Sequence, residues 1–219
     1  AAAAGPDLSG LSFFISIEGP DGSGKSTQAR LLADHLASQG YDVLFSREPG
    51  GTEIGDQIRR VIMSLDNKRM SPQAEFLLFS ASRAQLVREV IQPKLAAGGV
   101  VVCDRFYDSS LAYQGYGHQL DLDQLRSVTE FVTGGLVPDL TLLLDLPSGE
   151  GLSRRKEAGL WNRLDDYDLA FHERVRAGYL RLAQAEPQRW VVIDATRSPD
   201  EIQESAREAV RPRLPQNPR

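Results

Sequence analysis

This 219-residue sequence predicts a three-layer α/β fold in which a five-stranded parallel sheet is flanked by helices on both faces. Two observations carry that prediction. Apolar runs rich in β-branched residues at 13–17, 43–46, 100–104, 140–146 and 190–193 are separated by segments of helical spacing. Near-continuous apolar strands that alternate with amphipathic helices belong to parallel sheets buried on both sides. The first run also leads directly into Gly19-Pro20-Asp21-Gly22-Ser23-Gly24-Lys25-Ser26-Thr27. This is the Gly-x-x-x-x-Gly-Lys-Ser pattern of a phosphate-binding loop between a strand and a helix.

The elements follow in order. Residues 13–17 form the strand before the loop. Residues 25–39 repeat apolar positions at Ala29, Leu32, Ala33 and Leu36 and end at Gly40, a glycine suited to closing a helix. Ser71-Pro72 opens a helix that runs through Phe76, Leu77 and Phe79 towards Val90. Residues 211–219, with three prolines, read as a frayed tail, as do residues 1–10. The composition does not shift midway, which favours one domain over residues 1–219.

Composition excludes several classes of partner. A net charge of -5 is mild and spread along the chain, so there is no basic stripe to follow a nucleic acid. Cys103, the single cysteine, lies inside an apolar run and reads as a buried small side chain. No stretch approaches the roughly 20 apolar residues of a membrane span, and residues 1–10 lack a basic region before their alanines. The expected location is the cytoplasm. His35, His118 and His172 show no metal-ligand spacing.

Candidate chemistry gathers at the carboxyl ends of the strands, where ligands bind such sheets. Glycines in the loop let backbone N–H groups turn inward, the next helix presents its positive end, and Lys25 reaches terminal phosphates. Ser26 is placed to hold Mg2+. The second strand ends in Arg47-Glu48-Pro49-Gly50-Gly51-Thr52, and the third ends in Asp104-Arg105. There the arginine offers a planar fork for phosphate oxygens and the aspartate can reach the Mg2+ shell through water. A plain salt bridge is the alternative for that pair.

The run Asp104-Arg105-Phe106-Tyr107-Asp108-Ser109-Ser110-Leu111-Ala112-Tyr113-Gln114-Gly115 resembles bacterial thymidylate kinases. The likeness spans almost the whole chain, through the phosphate loop, Arg47 to Gly51, the helix bearing Phe79 and Arg83, and Thr133-Gly134-Gly135-Leu136-x-Pro138-Asp139-Leu140. It implies a P-loop kinase fold with a mobile lid at about 150–164, and transfer of phosphate from ATP with Mg2+ to dTMP, a step of dTTP biosynthesis. It further implies a homodimer joined through helices, for which the apolar faces of 76–90 and 122–132 are candidates, although core packing explains the same pattern.

The resemblance also assigns residues. Asp21 would meet the acceptor sugar, Phe79 would stack on thymine, and Arg83 on the same helix face would donate to a base carbonyl. Arg47, Pro49, Ser109, Ser110 and Gln114 would complete the dTMP pocket, and Tyr113 would crowd the sugar's 2′ position. A turn aspartate, a core phenylalanine and ordinary helix residues are the plainer alternatives. Residues 19–27 would bind ATP. The loop has nothing basic before Lys25, so Arg154 or Arg155, with Arg163, would close from the lid over the triphosphate. Asn162-Arg163 stands where the family often has Asp-Arg, which puts any latch through that carboxylate in question.

An acceptor monophosphate is already ionised, so catalysis reduces to alignment and charge neutralisation by Lys25, Arg105 and the lid arginines. A deoxynucleoside kinase is the nearest rival and would need a carboxylate base, for which Glu18 and Glu48 are candidates. A guanine-nucleotide switch would need Asn-Lys-x-Asp, and Asn67-Lys68-Arg69-Met70 lacks the aspartate.

Overall fold

A computed structural model describes residues 12–215. Residues 1–11 and 216–219, including most of the expected frayed ends, lie outside the described residues. In chain order the elements are β1 (Phe13–Glu18), α1 (Lys25–Ser38), β2 (Val43–Arg47), α2 (Glu53–Met63), α3 (Pro72–Leu86), α4 (Gln92–Ala96), β3 (Val100–Asp104), α5 (Tyr107–Ser110) and α6 (Leu122–Thr133). They continue as β4 (Leu140–Asp145), α7 (Ser148–Glu157), α8 (Leu169–Ala185), β5 (Trp190–Asp194) and α9 (Pro199–Val210). The sheet has five strands in the order β2-β3-β1-β4-β5, and every pair is parallel.

Successive side chains of a strand point to opposite faces, and β1 divides the core accordingly. Ile15 and Ile17 pack with Leu32 and Leu36 of α1, Leu142 of β4 and Ile202 of α9. Phe14 packs with Leu86, Val101, Cys103 and Phe106 on the other face. A third cluster joins Leu143 to Phe171, Val175 and Tyr179 of α8. Each such buried side chain contributes about 1.5–3 kcal/mol, against at most about 1 kcal/mol for exposed pairs such as Arg126–Asp123. The apolar layers therefore hold the strand ends in place.

Most strands extend one residue beyond the apolar run that reveals them, to Glu18, Arg47 and Asp194. Ladder bonds are made by the backbone, so a polar last residue can still extend the strand, and of the three Arg47 lines the cavity. Backbone bonds continue the pattern: Arg105 N–H donates to Ile17 O at 3.0 Å and Glu48 N–H to Asp104 O at 2.9 Å. Beyond Leu86 the expected helix continues as a π-helical turn, Val87–Ile91, into α4. Residues 211–215 depart from the expected fraying. Leu214 packs on the first cluster, and the Tyr41 hydroxyl donates to Pro215 O at 3.0 Å.

Candidate active site

A cavity of about 390 Å³ opens at the carboxyl ends of β1, β2 and β3. The phosphate loop forms its floor on one side. Most helices are capped by a side chain, as Thr52 caps α2, Ser71 caps α3 and Asp121 caps α6. No side chain among the described residues caps α1, whose first turn carries Ser26 and Thr27 into the cavity. Uncapped N–H groups at a helix start form an anion site. A Cβ on Gly22, where φ is +79°, would lie 2.2 Å from Gly151 O, so the loop and α7 touch backbone to backbone.

Lys25 is 6% exposed, and its Nζ donates to Pro20 O at 2.6 Å and Ser23 Oγ at 3.3 Å. The lysine thus bonds back onto its own loop. Burial, helped by the neighbouring Arg105, brings its pKa down to about 7. The Ser26 hydroxyl donates to Asp104 Oδ2, while Asp104 Oδ1 is buried with no partner among the described residues. A hydroxyl beside a carboxylate with a spare oxygen is a donor set suited to a hard cation and its water.

Arg105 lies against the loop. Its φ is +71°, a left-handed conformation that costs a non-glycine residue energy and recurs at functional sites. Nη2 donates to Asp21 Oδ1 at 2.8 Å and Tyr113 Oη at 3.3 Å. Nη1 reaches Gly19 O at 3.1 Å, Ser109 Oγ at 3.0 Å and Tyr179 Oη at 3.0 Å. The Tyr113 hydroxyl donates to Asp21 Oδ2 at 2.6 Å. Burial works to raise the Asp21 pKa, but Arg105 and Lys25 overcome it and hold the carboxyl well below its usual range.

Beneath Arg105 lies Glu18, fully buried at the end of β1. It accepts from Phe106 N–H at 2.6 Å, Ser109 Oγ at 2.5 Å and Tyr179 Oη at 3.0 Å. Burial, reinforced by Asp108, pushes its pKa up to about 7.

The same cavity is lined by Pro49, Phe79, Ser110 and Gln114, and by Arg47 and Arg59. Phe79 is half-buried and forms part of the wall. Arg83 lies buried on the same helix. It is 1% exposed, its Nε donates to Glu48 Oε2 at 2.8 Å, and Nη2 donates to Ser110 Oγ at 3.1 Å. Its Nη1 is buried with no partner among the described residues. Gln114 Nε2 donates to Glu75 Oε1 at 2.7 Å, and Gln114 Oε1 is buried and likewise unpartnered.

The expected lid arginines separate. Its first half is the regular helix α7, and both Arg154 and Arg155 line the cavity. Arg154 pairs with Glu150 at 2.5 Å, and Arg155 forks onto Asp165 at 2.5 and 2.7 Å. Arg163 does not join them: it is 2% exposed, with Nε on Ile62 O at 2.7 Å, Nη1 on Tyr167 Oη at 2.8 Å and Nη2 on Glu75 Oε2 at 2.5 Å. It anchors the chain after α7 to α2 and α3. Asn162 caps the short turn Arg163–Asp166, and Asp165 accepts from Asn162 N–H at 2.9 Å.

Sequence reading missed Tyr179, Glu75 and Arg59. Tyr179 sits mid-helix without a motif, and Glu75 looks like a first-turn acid of α3, so nothing local marks either one. Arg59 offered a weak signal as a cation closely following Arg47-Glu48-Pro49; its Nη1 donates to Pro49 O at 2.9 Å.

A phosphate cradle at the start of α1 and a part-buried guanidinium set against it in the same cavity, on a 2-3-1-4-5 parallel sheet, define a P-loop phosphotransferase. The family model described as thymidylate kinase matches residues 17–206. Thymidylate kinases of Roseiflexus sp. (strain RS-1) and Exiguobacterium sp. (strain ATCC BAA-1283 / AT1b) are 50% and 51% identical to this chain. These matches cover 93% and 95% of it and 96% and 98% of the relatives. That of Deinococcus radiodurans is 53% identical over 190 residues, 87% of this chain and 92% of its own. The crystal structure of thymidylate kinase from Ehrlichia chaffeensis superposes with a TM-score of 0.74 at 32% identity, covering 91% of this chain and 98% of that one. The chain belongs to the thymidylate kinase family. Among the described residues no helix is long and apolar enough to cross a membrane.

At pH 8 Lys25 is largely neutral in the free protein, because its pKa of about 7 lies below that pH. A polyanion beside Nζ favours the charged form, so binding takes up a proton. Calorimetry of a non-hydrolysable nucleoside triphosphate in buffers of different ionisation enthalpy is expected to show net uptake at pH 8, lost in Lys25→Met. Equal heats in all buffers contradict this.

Proposed function

We propose that this chain transfers the terminal phosphoryl group of ATP to dTMP, giving dTDP and ADP. A dTMP phosphate oxygen attacks the γ-phosphorus in line as the bond to the β-phosphate oxygen breaks. The carrying observation is that the Arg105 guanidinium lies against the phosphate loop, bonded to Asp21 and Gly19 O, and lines the same cavity as Lys25 and Ser26. Such a guanidinium can hold the acceptor phosphate where a loop-bound donor presents its terminal group, and two polyanions that repel are aligned by fixed charge.

Asp21 and Tyr113 face the acceptor sugar, and Phe79 with Pro49 forms the slot for the base. The unpartnered Arg83 Nη1 and Gln114 Oε1 are a buried donor and a buried acceptor. That pair suits a pyrimidine edge bearing a carbonyl next to an N–H. Arg47 and Arg59 add positive charge to the cavity, and Arg154 and Arg155 approach the donor from α7.

Mg2+ is the metal this reading calls for, held by Ser26 and, through water, by Asp104, whose spare buried oxygen fits that task. When bound it neutralises phosphate charge. The nucleoside-kinase alternative needs a carboxylate base at the acceptor. Glu18 is fully buried with both oxygens bonded, whereas Glu48 lines the cavity, paired through Oε2 with Arg83 at 2.7 Å and with Oε1 unpartnered among the described residues, so turnover of thymidine decides for or against that alternative.

As for assembly, α2, α3 and α6 leave Ile54, Leu77 and Phe131 exposed, Phe131 by 86%, while Phe76 on the same stretch is in the core. An exposed apolar face of this kind supports a homodimer. Sedimentation is expected to give twice the chain mass, with Phe131→Glu shifting the protein to monomer. A monomeric wild type would contradict the assembly.

Coupled ADP release is expected with dTMP, weaker with dUMP and absent with thymidine; turnover of thymidine alone would favour a nucleoside kinase. Arg105→Ala is expected to lower kcat/KM for dTMP at least about a hundredfold, as when other transition-state charge stabilisers are removed, with the thermal midpoint checking the fold. A loss under about tenfold would remove the clamp.

A further inference from the structure

Glu75 lies on α3, is fully buried, and stands behind the base slot. Its Oε2 accepts from Arg163 Nη2 at 2.5 Å and from Tyr167 Oη at 3.0 Å. Its Oε1 accepts from Gln114 Nε2 at 2.7 Å and lies 3.3 Å from His118 Nε2. Burial works to raise the pKa of this carboxyl, but His118, Arg163 and Gln114 outweigh it and lower the pKa to about 2. The group is an ionised, acceptor-only carboxylate at neutral pH.

An amide side chain has two faces, and its environment decides which end points where. Against an ionised carboxylate only the –NH2 end of Gln114 can face Glu75. Its oxygen is thereby left over, buried in a residue that lines the cavity and unpartnered among the described residues.

We infer that Glu75 is the residue that sets base specificity: by pinning the amide of Gln114, it makes the slot present an acceptor and so select a pyrimidine whose ring N3 carries hydrogen. Thymine and uracil have that N–H. Cytosine has a lone pair there, which meets the Gln114 oxygen acceptor to acceptor and leaves both buried groups unsatisfied. Glu75 touches no substrate, so it acts as a positioning residue. The inference rests on dTMP being the acceptor.

Glu75→Gln inverts the relay without changing shape. Arg163 is donor-only, so the new amide must keep its oxygen on Arg163 and turn its –NH2 towards Gln114. Gln114 then turns its own oxygen to residue 75 and its –NH2 to the base, the arrangement that accepts cytosine and repels thymine.

The test measures preference, taken as kcat/KM for dTMP set against the inhibition constant of dCMP as its competitor. The proteins are wild type, Glu75→Gln, Gln114→Leu and the double variant. Glu75→Gln is expected to lower the dTMP preference at least about tenfold, by weakening dTMP and tightening dCMP together, as unpaired buried groups do. In the Gln114→Leu background the same change is expected to leave the preference within about twofold, because no amide remains to turn. An unchanged preference in Glu75→Gln overturns the inference, and so does an equal fall in both backgrounds, which would mean general loosening. Should Glu75→Gln fail to fold by thermal unfolding, Glu75→Asp keeps the charge opposite Arg163 but withdraws from Gln114; a fall of at least about threefold is then expected, and no fall overturns the inference. Wild-type turnover of dTMP in the same assay tests the activity separately.

Discussion

The bond set of Arg105 is the interaction on which the rest of the site depends. One guanidinium reaches Gly19 O and Asp21 in the phosphate loop, Ser109 and Tyr113 after β3, and Tyr179 on α8. Three separate parts of the chain are therefore referenced to one planar group. A charge largely withdrawn from water is favourable only where partners surround it, and removing partners from such a charge is costly. The left-handed backbone at Arg105 is part of the same arrangement: the sheet hands the chain over through the Arg105 N–H bond to Ile17 O, and the side chain turns back across the loop.

Two buried carboxylates support this centre in different ways. Glu18 has burial and Asp108 against it, and its pKa rises to about 7. Glu75 is surrounded by donors, so its pKa falls to about 2. Glu18 sits beneath the phosphate side through Ser109 and Tyr179. Glu75 sits behind the base side through Gln114, Arg163 and Tyr167. Rigid apolar layers fix the strand ends, and these acids fix the polar groups that the ends present.

Much of this was legible in the sequence, for reasons that can be named. The five strands betray themselves because both faces of a parallel sheet are buried, so their apolar runs are almost unbroken. The phosphate loop is a local motif whose neighbours in sequence are its neighbours in space. Arg105 was legible because it leaves a buried strand beside that loop. What stayed hidden depends on partners far along the chain. Arg163 looks like one more cation of a basic segment, yet Glu75, 88 residues away, draws it into the interior. Arg83 looks free on its helix face until Glu48 and Ser110 close on it. Tyr179 carries no signal at all, since a tyrosine within an amphipathic helix is ordinarily core.

The central claim is that Arg105 is the shared reference between donor cradle and acceptor phosphate. It is tested most directly by a crystal structure with adenosine and thymidine joined through five phosphates. The account predicts the Arg105 guanidinium within hydrogen-bonding distance of the phosphate nearest thymidine, with its bond to Asp21 or Gly19 O kept and Lys25 moved from Pro20 O onto the chain of phosphates. A complex in which Arg105 retains its full set of protein bonds, while another group holds that phosphate, would contradict it.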